Sequence, residues 1–350
     1  MPAIRTEITE IVTGLATLGY QSLDRALEIR PGHITHVNDA VFERLAAAFR
    51  DGHHDQEFAL AWENGTVFAL SDQGLRGRPP WLLEWKGPHR PASRSIETIP
   101  ADLRIDHVFL ISCKYGSEIL HNSGPAQLFD HALRPAQPVK VGDWYESVAP
   151  EPYRAVWAPV HRGAGIPTDS PPSSLDRPQR AQVKRHLRAC PIDTQAGIYQ
   201  DFVAAVSQES AKRWDRILRS LSDQQEMLWR LLRMQAAPYY VLGASRQRRP
   251  LRYRVSTPWD FTQRYGLEGL RITPGHRGQP SVDWEATVRR LDTGHGLSVS
   301  GFVEIRWSHG KLNGPPEAKI HLLTDPHLVP GYEPLTFHEP EKPVTASLFG

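Results

Sequence analysis

Proline and glycine punctuate this chain so often that no long, uninterrupted helix can run through it: 30 prolines and 26 glycines are spread over 350 residues. Proline lacks the backbone donor that a helix interior needs, and glycine carries the largest entropy cost of being ordered. A coiled coil or helical solenoid is therefore disfavoured, and the expected class is a loop-rich α/β (α+β) protein. The length suffices for one large domain or two ordinary ones, with ample chain to bury a core.

No apolar run approaches the roughly 20 residues needed to cross a bilayer, and MPAIRTEITE has no signal-peptide core, so a cytoplasmic protein without a membrane partner is expected. Cys113 and Cys190 are the only cysteines, which excludes a disulfide framework and a C-x-x-C site. Any metal must then rest on carboxylates or histidines. The 16 histidines show neither H-E-x-x-H nor H-x-H spacing, which argues against zinc. The absence of a phosphate-binding glycine loop and of G-x-S-x-G removes support for nucleotide-driven motors, dinucleotide-dependent dehydrogenases and α/β-hydrolases.

Asn38 is a good N-cap, and Phe42, Leu45, Ala46 and Phe49 follow at amphipathic helical spacing. Three runs, Phe58 to Leu70, Trp81 to Trp85 and Val108 to Cys113, are separated by turn-forming residues and read as strands. Pro125 to Leu133 reads as a helix with proline in its first turn. From Arg134 to Asp176 the density of Pro, Gly and Ser rises, which predicts a linker or surface loop and a boundary between domains 1–165 and 166–350. Asp176 to Ala237 is expected to be mostly helical, with Trp214, Leu218, Leu221, Leu228 and Leu232 on one side. Short strands follow, among them Phe302 to Trp307 and Ala318 to Leu323.

The segment SDQGLRGRPPWLLEWKG carries the most specific chemical pattern. Asp72 is followed, after eleven residues that include a Gly/Pro turn, by Glu84-x-Lys86. Residues two apart on a strand face the same side, so Glu84 and Lys86 are expected to project together, with Asp72 brought beside them by a hairpin. Two carboxylates can hold a hard cation through oxygen while the lysine positions a water and offsets developing charge, a combination suited to phosphodiester hydrolysis. The alternative for Glu84 and Lys86 is an ordinary exposed ion pair. Glu304 and Glu317-Ala-Lys319 repeat the pattern farther along, without a preceding helix of obvious register. In the run IDHVFLISCKYGSEIL, Asp106 can replace Asp72 as second carboxylate, and Ser112-x-Lys114 is a degenerate acid-x-Lys; eight residues, about 26 Å of strand, separate Asp106 from Lys114.

The helix and the Asp72, Glu84-x-Lys86 pattern resemble the PD-(D/E)XK nuclease superfamily over residues 38–133, with Ser71 where that family commonly has proline. The resemblance implies an N-terminal restriction-endonuclease-like mixed sheet flanked by helices, which the spacing farther along follows with a helical segment and a β-rich C-terminal region. It implies Asp72, Glu84 and Lys86 as catalytic candidates, to which the following strand adds Asp106 and Lys114 as second-rank ones. Asp72, Glu84, Asp106 and the helix residue Glu43 would be ligands of Mg2+ or Mn2+. Restriction or anti-phage defence enters by analogy.

The net charge of +2 neither requires nor forbids a nucleic-acid partner, but between Ala211 and Arg254 eleven Lys/Arg face three acids. Arg246, Arg248, Arg249, Arg252 and Arg254, interleaved with Tyr253, are candidate DNA phosphate contacts with a stacking platform. The competing expectation is a non-catalytic nucleic-acid-binding or scaffolding subunit in which the same arginines grip DNA or a protein partner.

Overall fold

The computed structural model describes residues 4–86, 99–116, 119–134, 142–192 and 196–337. Its class is α+β: a mixed sheet flanked by helices and a β-rich C-terminal region. The strands are β1 (Ile34–Thr35), β2 (Leu83–Trp85), β3 (Leu103–Ile105), β4 (Phe109–Tyr115), β5 (Ile119–Ser123), β6 (Tyr239–Ala244), β7 (Pro250–Val255), β8 (Tyr265–Pro274), β9 (Ser281–Arg290), β10 (Gly296–Trp307), β11 (Pro316–Leu322) and β12 (Tyr332–Pro334).

The first sheet has the order β1-β2-β3-β4-β6-β7-β12. Strands β2, β3 and β4 form an antiparallel meander, and β6 returns parallel to β4. The second sheet, β5-β11-β10-β9-β8, is antiparallel throughout. Strands from before and after residue 165 thus share both sheets: β6, β7 and β12 complete the first, and β5 edges the second. The expected division at 165–166 does not separate them.

The first sheet is covered on both faces, as β6 illustrates, since all six of its residues are buried. Tyr240 and Leu242 join a core with Ile8, Ile11 and Phe68 from the N-terminal helices, whereas Tyr239 and Val241 face a larger core built with the second sheet and the central helices. This is the period-2 alternation of a strand between two apolar layers. Close approach of β4 and β6 requires Gly243, where an added Cβ would lie 1.7 Å from the Lys114 carbonyl oxygen.

The Asn38 expectation holds: its side chain accepts a hydrogen bond from the Val41 amide at 3.1 Å, starting the helix Asp39–Asp51. The Phe58 to Leu70 run is a helix, Asp55–Leu70, rather than a strand. Its buried residues Phe58, Ala61, Gly65 and Phe68 recur at three- and four-residue spacing, and Asp55 and Glu57 occupy the first turn, where the helix dipole favours them. Gly65 lets it pack on the N-terminal helical segment, because a Cβ there would lie 2.1 Å from the Thr13 carbonyl oxygen.

The stretch expected to be a linker contains the helices Trp144–Val148 and Pro150–Gly163, and Trp144, Tyr145 and Tyr153 are among the largest fully buried side chains. Its proline content starts helices instead of preventing them: Pro150 opens one at the first turn. Residues 135–141 of that stretch lie outside the described residues. Farther on, Arg177–Ala189, Ala196–Ile217 and Leu221–Leu231 are helical as the spacing predicts. Asp176 with Gln179, and Ser220 with Asp223, close capping boxes. No helix among the described residues is long and apolar enough to cross a membrane.

Candidate functional site

The sequence-predicted cluster does not form as expected. Asp72 lies in the turn after Asp55–Leu70, where its carboxylate accepts from the Thr336 hydroxyl at 3.0 Å and its amide donates to the Thr336 carbonyl at 2.9 Å. Glu84, on β2, is gripped in bidentate fashion by the cross-strand Arg104 at 2.7 and 3.1 Å, with His107 Nδ1 at 3.2 Å. The Arg104 guanidinium, opposed by partial burial and aided by His107, holds the Glu84 carboxyl below its usual range.

Lys86 goes elsewhere. The strand ends at Trp85, and Lys86 adopts φ +46°, so the alternation that would align it with Glu84 is broken. Its Nζ lies 2.7 Å from Glu10 Oε2. Asp106 serves a turn: Oδ1 accepts from the amides of Trp81 and Leu82 at 2.7 and 2.9 Å, and Oδ2 from Arg78 at 2.7 Å. Glu43 is an exposed residue 3.6 Å from Arg30. Lys114 lies on β4 and lines a cavity between the sheets. The alternative Glu304 and Lys319 sit opposite one another on β10 and β11, with Glu317 3.8 Å from Lys319.

The basic candidates also divide. Arg246, Arg248 and Arg249 are exposed on the β6–β7 connection. Arg252 and Arg254 are held internally on β7: Arg252 donates to Asn64 at 2.7 Å and pairs with Glu63 at 2.8 Å, and Arg254 pairs with Glu333 at 2.9 Å. Tyr253 is buried against Tyr332 in a stacked pair at 4.7 Å, so it offers no platform to a base.

The structure gathers a different set around Lys86. The N-terminal helical segment runs Ile4–Glu7, passes through a π-helical turn, Ile8–Val12, and continues as Thr13–Leu15. It is buried nearly all round, and single-turn π segments recur at functional sites. Glu10 lies in that turn, 7% exposed, with Oε2 accepting from Trp85 Nε1 and from Lys86 Nζ, both at 2.7 Å. Asp102 stands at the start of β3, its Oδ2 accepting from the Cys113 amide at 2.9 Å and its carbonyl from the Lys86 amide at 3.0 Å.

Burial, then the charge of Asp102, push the Glu10 carboxyl above its usual range, against the pull of Lys86 and Trp85. Burial, then Asp102 and Glu10, drive the Cys113 thiol well up, which favours its protonated form. Glu10 and Asp102 place two carboxylates beside the Lys86 ammonium. Their oxygen-only donor chemistry suits a hard divalent cation that keeps much of its water. Among the described residues no group of three or more His, Cys, Asp or Glu side chains is arranged to hold a metal ion.

Sequence reasoning found Lys86 but missed Glu10 and Asp102. The available signal was a carboxylate set among Ile8, Ile11 and Val12, because an acid inside an apolar stripe must find a partner once the stripe is buried. Comparison of the chain with protein-family models, curated proteins and solved structures finds no match.

Proposed function

We propose that this protein is a metal-dependent nuclease of PD-(D/E)XK type whose working residues are Glu10, Asp102 and Lys86, with Glu10 taking the helix-glutamate role expected of Glu43. The observation that carries this reading is the 2.7 Å contact of the Lys86 ammonium with Glu10 beside Asp102. It occurs on a three-strand meander followed by a parallel return strand and covered by the glutamate-bearing helix.

In this reading Glu10 and Asp102 hold Mg2+ or Mn2+, which when bound polarises the phosphate and acidifies a water. Lys86 contributes a positive charge toward the pentavalent phosphorus and orients the Glu10 carboxylate. Trp85 Nε1 fixes Glu10 Oε2, which leaves Oε1 for a ligand or a proton. The exposed Arg246, Arg248 and Arg249 supply sequence-independent phosphate contacts to DNA.

The test is incubation with double-stranded DNA, single-stranded DNA and RNA in Mg2+, Mn2+ or EDTA, using wild type, Glu10→Gln, Lys86→Ala and Asp72→Asn. Metal-dependent cleavage should fall by about 100-fold or more in the first two variants and persist in Asp72→Asn. Cleavage indifferent to Glu10→Gln overturns the site. Salt-sensitive retention of nucleic acid with no turnover in any metal overturns the enzyme and leaves a binding subunit.

A further inference from the structure

A cavity of about 600 Å³ opens between the two sheets, floored by β4, β6 and β7 and edged by β5 and β11. That volume falls within the roughly 300–1,000 Å³ typical of small-molecule sites. Its walls are largely apolar, with Val241, Leu251 and Leu322 among them, and cations outnumber carboxylates among its charged groups. Lys114, Arg233 and Arg249 line it, and Asp325 is the sole carboxylate among the described lining residues, 3.7 Å from Arg249 at the mouth.

The interior groups are in an unusual state for a protein core. Ser112 is fully buried, and its hydroxyl has no hydrogen-bond partner. Buried polar groups are nearly always satisfied, so an orphan hydroxyl lining a cavity points to a partner supplied from outside. The Lys114 ammonium makes no hydrogen bond or ion pair with a described residue. Arg233 is 6% exposed and its Nη1 lies 3.1 Å from His121 Nδ1. A guanidinium only donates, so His121 Nδ1 accepts and the ring is neutral. Burial and the charges of Arg233 and Lys114 keep it so, holding its pKa down to about 3. This imidazole therefore adds no charge, and two cations, the buried Arg233 and the half-buried Lys114, line a largely apolar chamber.

We propose that this cavity binds a small phosphorylated molecule of the nucleotide class, its phosphates held by Lys114, Arg233 and the Ser112 hydroxyl and its apolar body against Val241 and Leu251. Charge-assisted hydrogen bonds from guanidinium and ammonium are the strong contacts for phosphate, and the desolvated setting strengthens them. Arg249, exposed at the rim, draws the anion in. The site lies on the face of β4 opposite Cys113, and the proposal shares only Arg249 with the nuclease reading.

The experiment is calorimetric titration in EDTA, which silences metal-dependent chemistry, with ATP, AMP, adenosine, inorganic phosphate and a short single-stranded oligonucleotide as probes. Wild type, Lys114→Gln, Ser112→Ala and Arg249→Gln are compared, each checked by thermal melting. A mononucleotide should bind about tenfold or more tighter than adenosine or phosphate alone, and Lys114→Gln should lose about tenfold or more of that affinity. Ser112→Ala, which removes an unsatisfied hydroxyl, should melt higher without ligand yet bind nucleotide more weakly. No saturable binding by any mononucleotide overturns the proposal, as does unchanged affinity in both Lys114→Gln and Ser112→Ala. An oligonucleotide that outcompetes every mononucleotide also overturns it, reassigning the cavity to nucleic acid.

Discussion

Replacing Lys86 with methionine keeps most of the side chain's length but removes the ammonium that faces Glu10 and lies 4.9 Å from the centre of the Trp85 ring. The Glu10 side chain is 9% exposed and that of Lys86 23%, so this pair is buried on one side and partly wet on the other. Removing one partner of a buried pair costs about 3–5 kcal/mol, and the exposure of Lys86 places this case near the lower figure. At roughly 2 °C per kcal/mol for a chain of this size, the melting temperature should fall by about 6 °C at pH 8. Glu10 has a folded-state pKa above its unfolded value, so its folded form binds the extra proton. The penalty for its charged form is absent below the unfolded pKa and grows as pH rises through the folded pKa. Loss of Lys86 pushes that pKa further up, so the variant should approach wild type as pH is lowered toward 5. Adding Glu10→Gln should restore most of the stability at pH 8 without restoring nuclease activity. Thermal melts of the wild type and variants at pH 5 and pH 8 provide the assay. An equal loss at both pH values, or no recovery in the double variant, would refute the coupling of Lys86 to a buried Glu10 carboxylate.

Asp143 accepts from the Tyr145 amide at 2.9 Å and the Tyr153 hydroxyl at 3.2 Å, yet burial raises its pKa to about 6. Stability should therefore decline by on the order of 3 kcal/mol from pH 4 to above pH 6, and melts of Asp143→Asn should lack that component. Gly65→Ala places a methyl 2.1 Å from the Thr13 carbonyl oxygen; it should cost about 1–3 kcal/mol in denaturant titration, and a neutral result would deny the packing of these helices. Iodoacetamide should label exposed Cys190 well before half-buried Cys113, whose thiol pKa is driven up, as read by peptide mass spectrometry. Charge removal at Arg246, Arg248 and Arg249 should weaken salt-sensitive DNA retention with little change in melting. Arg252→Ala should instead destabilise the fold by breaking its contacts with Asn64 and Glu63.

The amino-acid sequence by itself determined the class of the fold and many local elements. Asn38 starts a helix because its side-chain oxygen meets the Val41 amide three residues on, and the helices from Arg177 to Leu231 follow from apolar spacing and capping boxes within single turns. These are short-range effects that any window of the chain contains. Local reading failed for Asp55–Leu70, whose apolar run fits either a strand or a buried helix until Gly65 is seen against the N-terminal segment. It failed also at the site. Lys86 was legible as a chemically apt residue, but its partner was not, because the Glu10–Trp85 contact spans 75 residues and depends on how a π-helical turn seats on the sheet. Glu84 and Lys86 part company because one backbone angle changes sign at the end of β2. Side-chain chemistry is written residue by residue, whereas which groups share a low-dielectric space is set by strand order, register and burial. Only the tertiary structure brings Glu10, Asp102 and Lys86 together and leaves Ser112 and Lys114 facing a cavity on the other side of the same sheet.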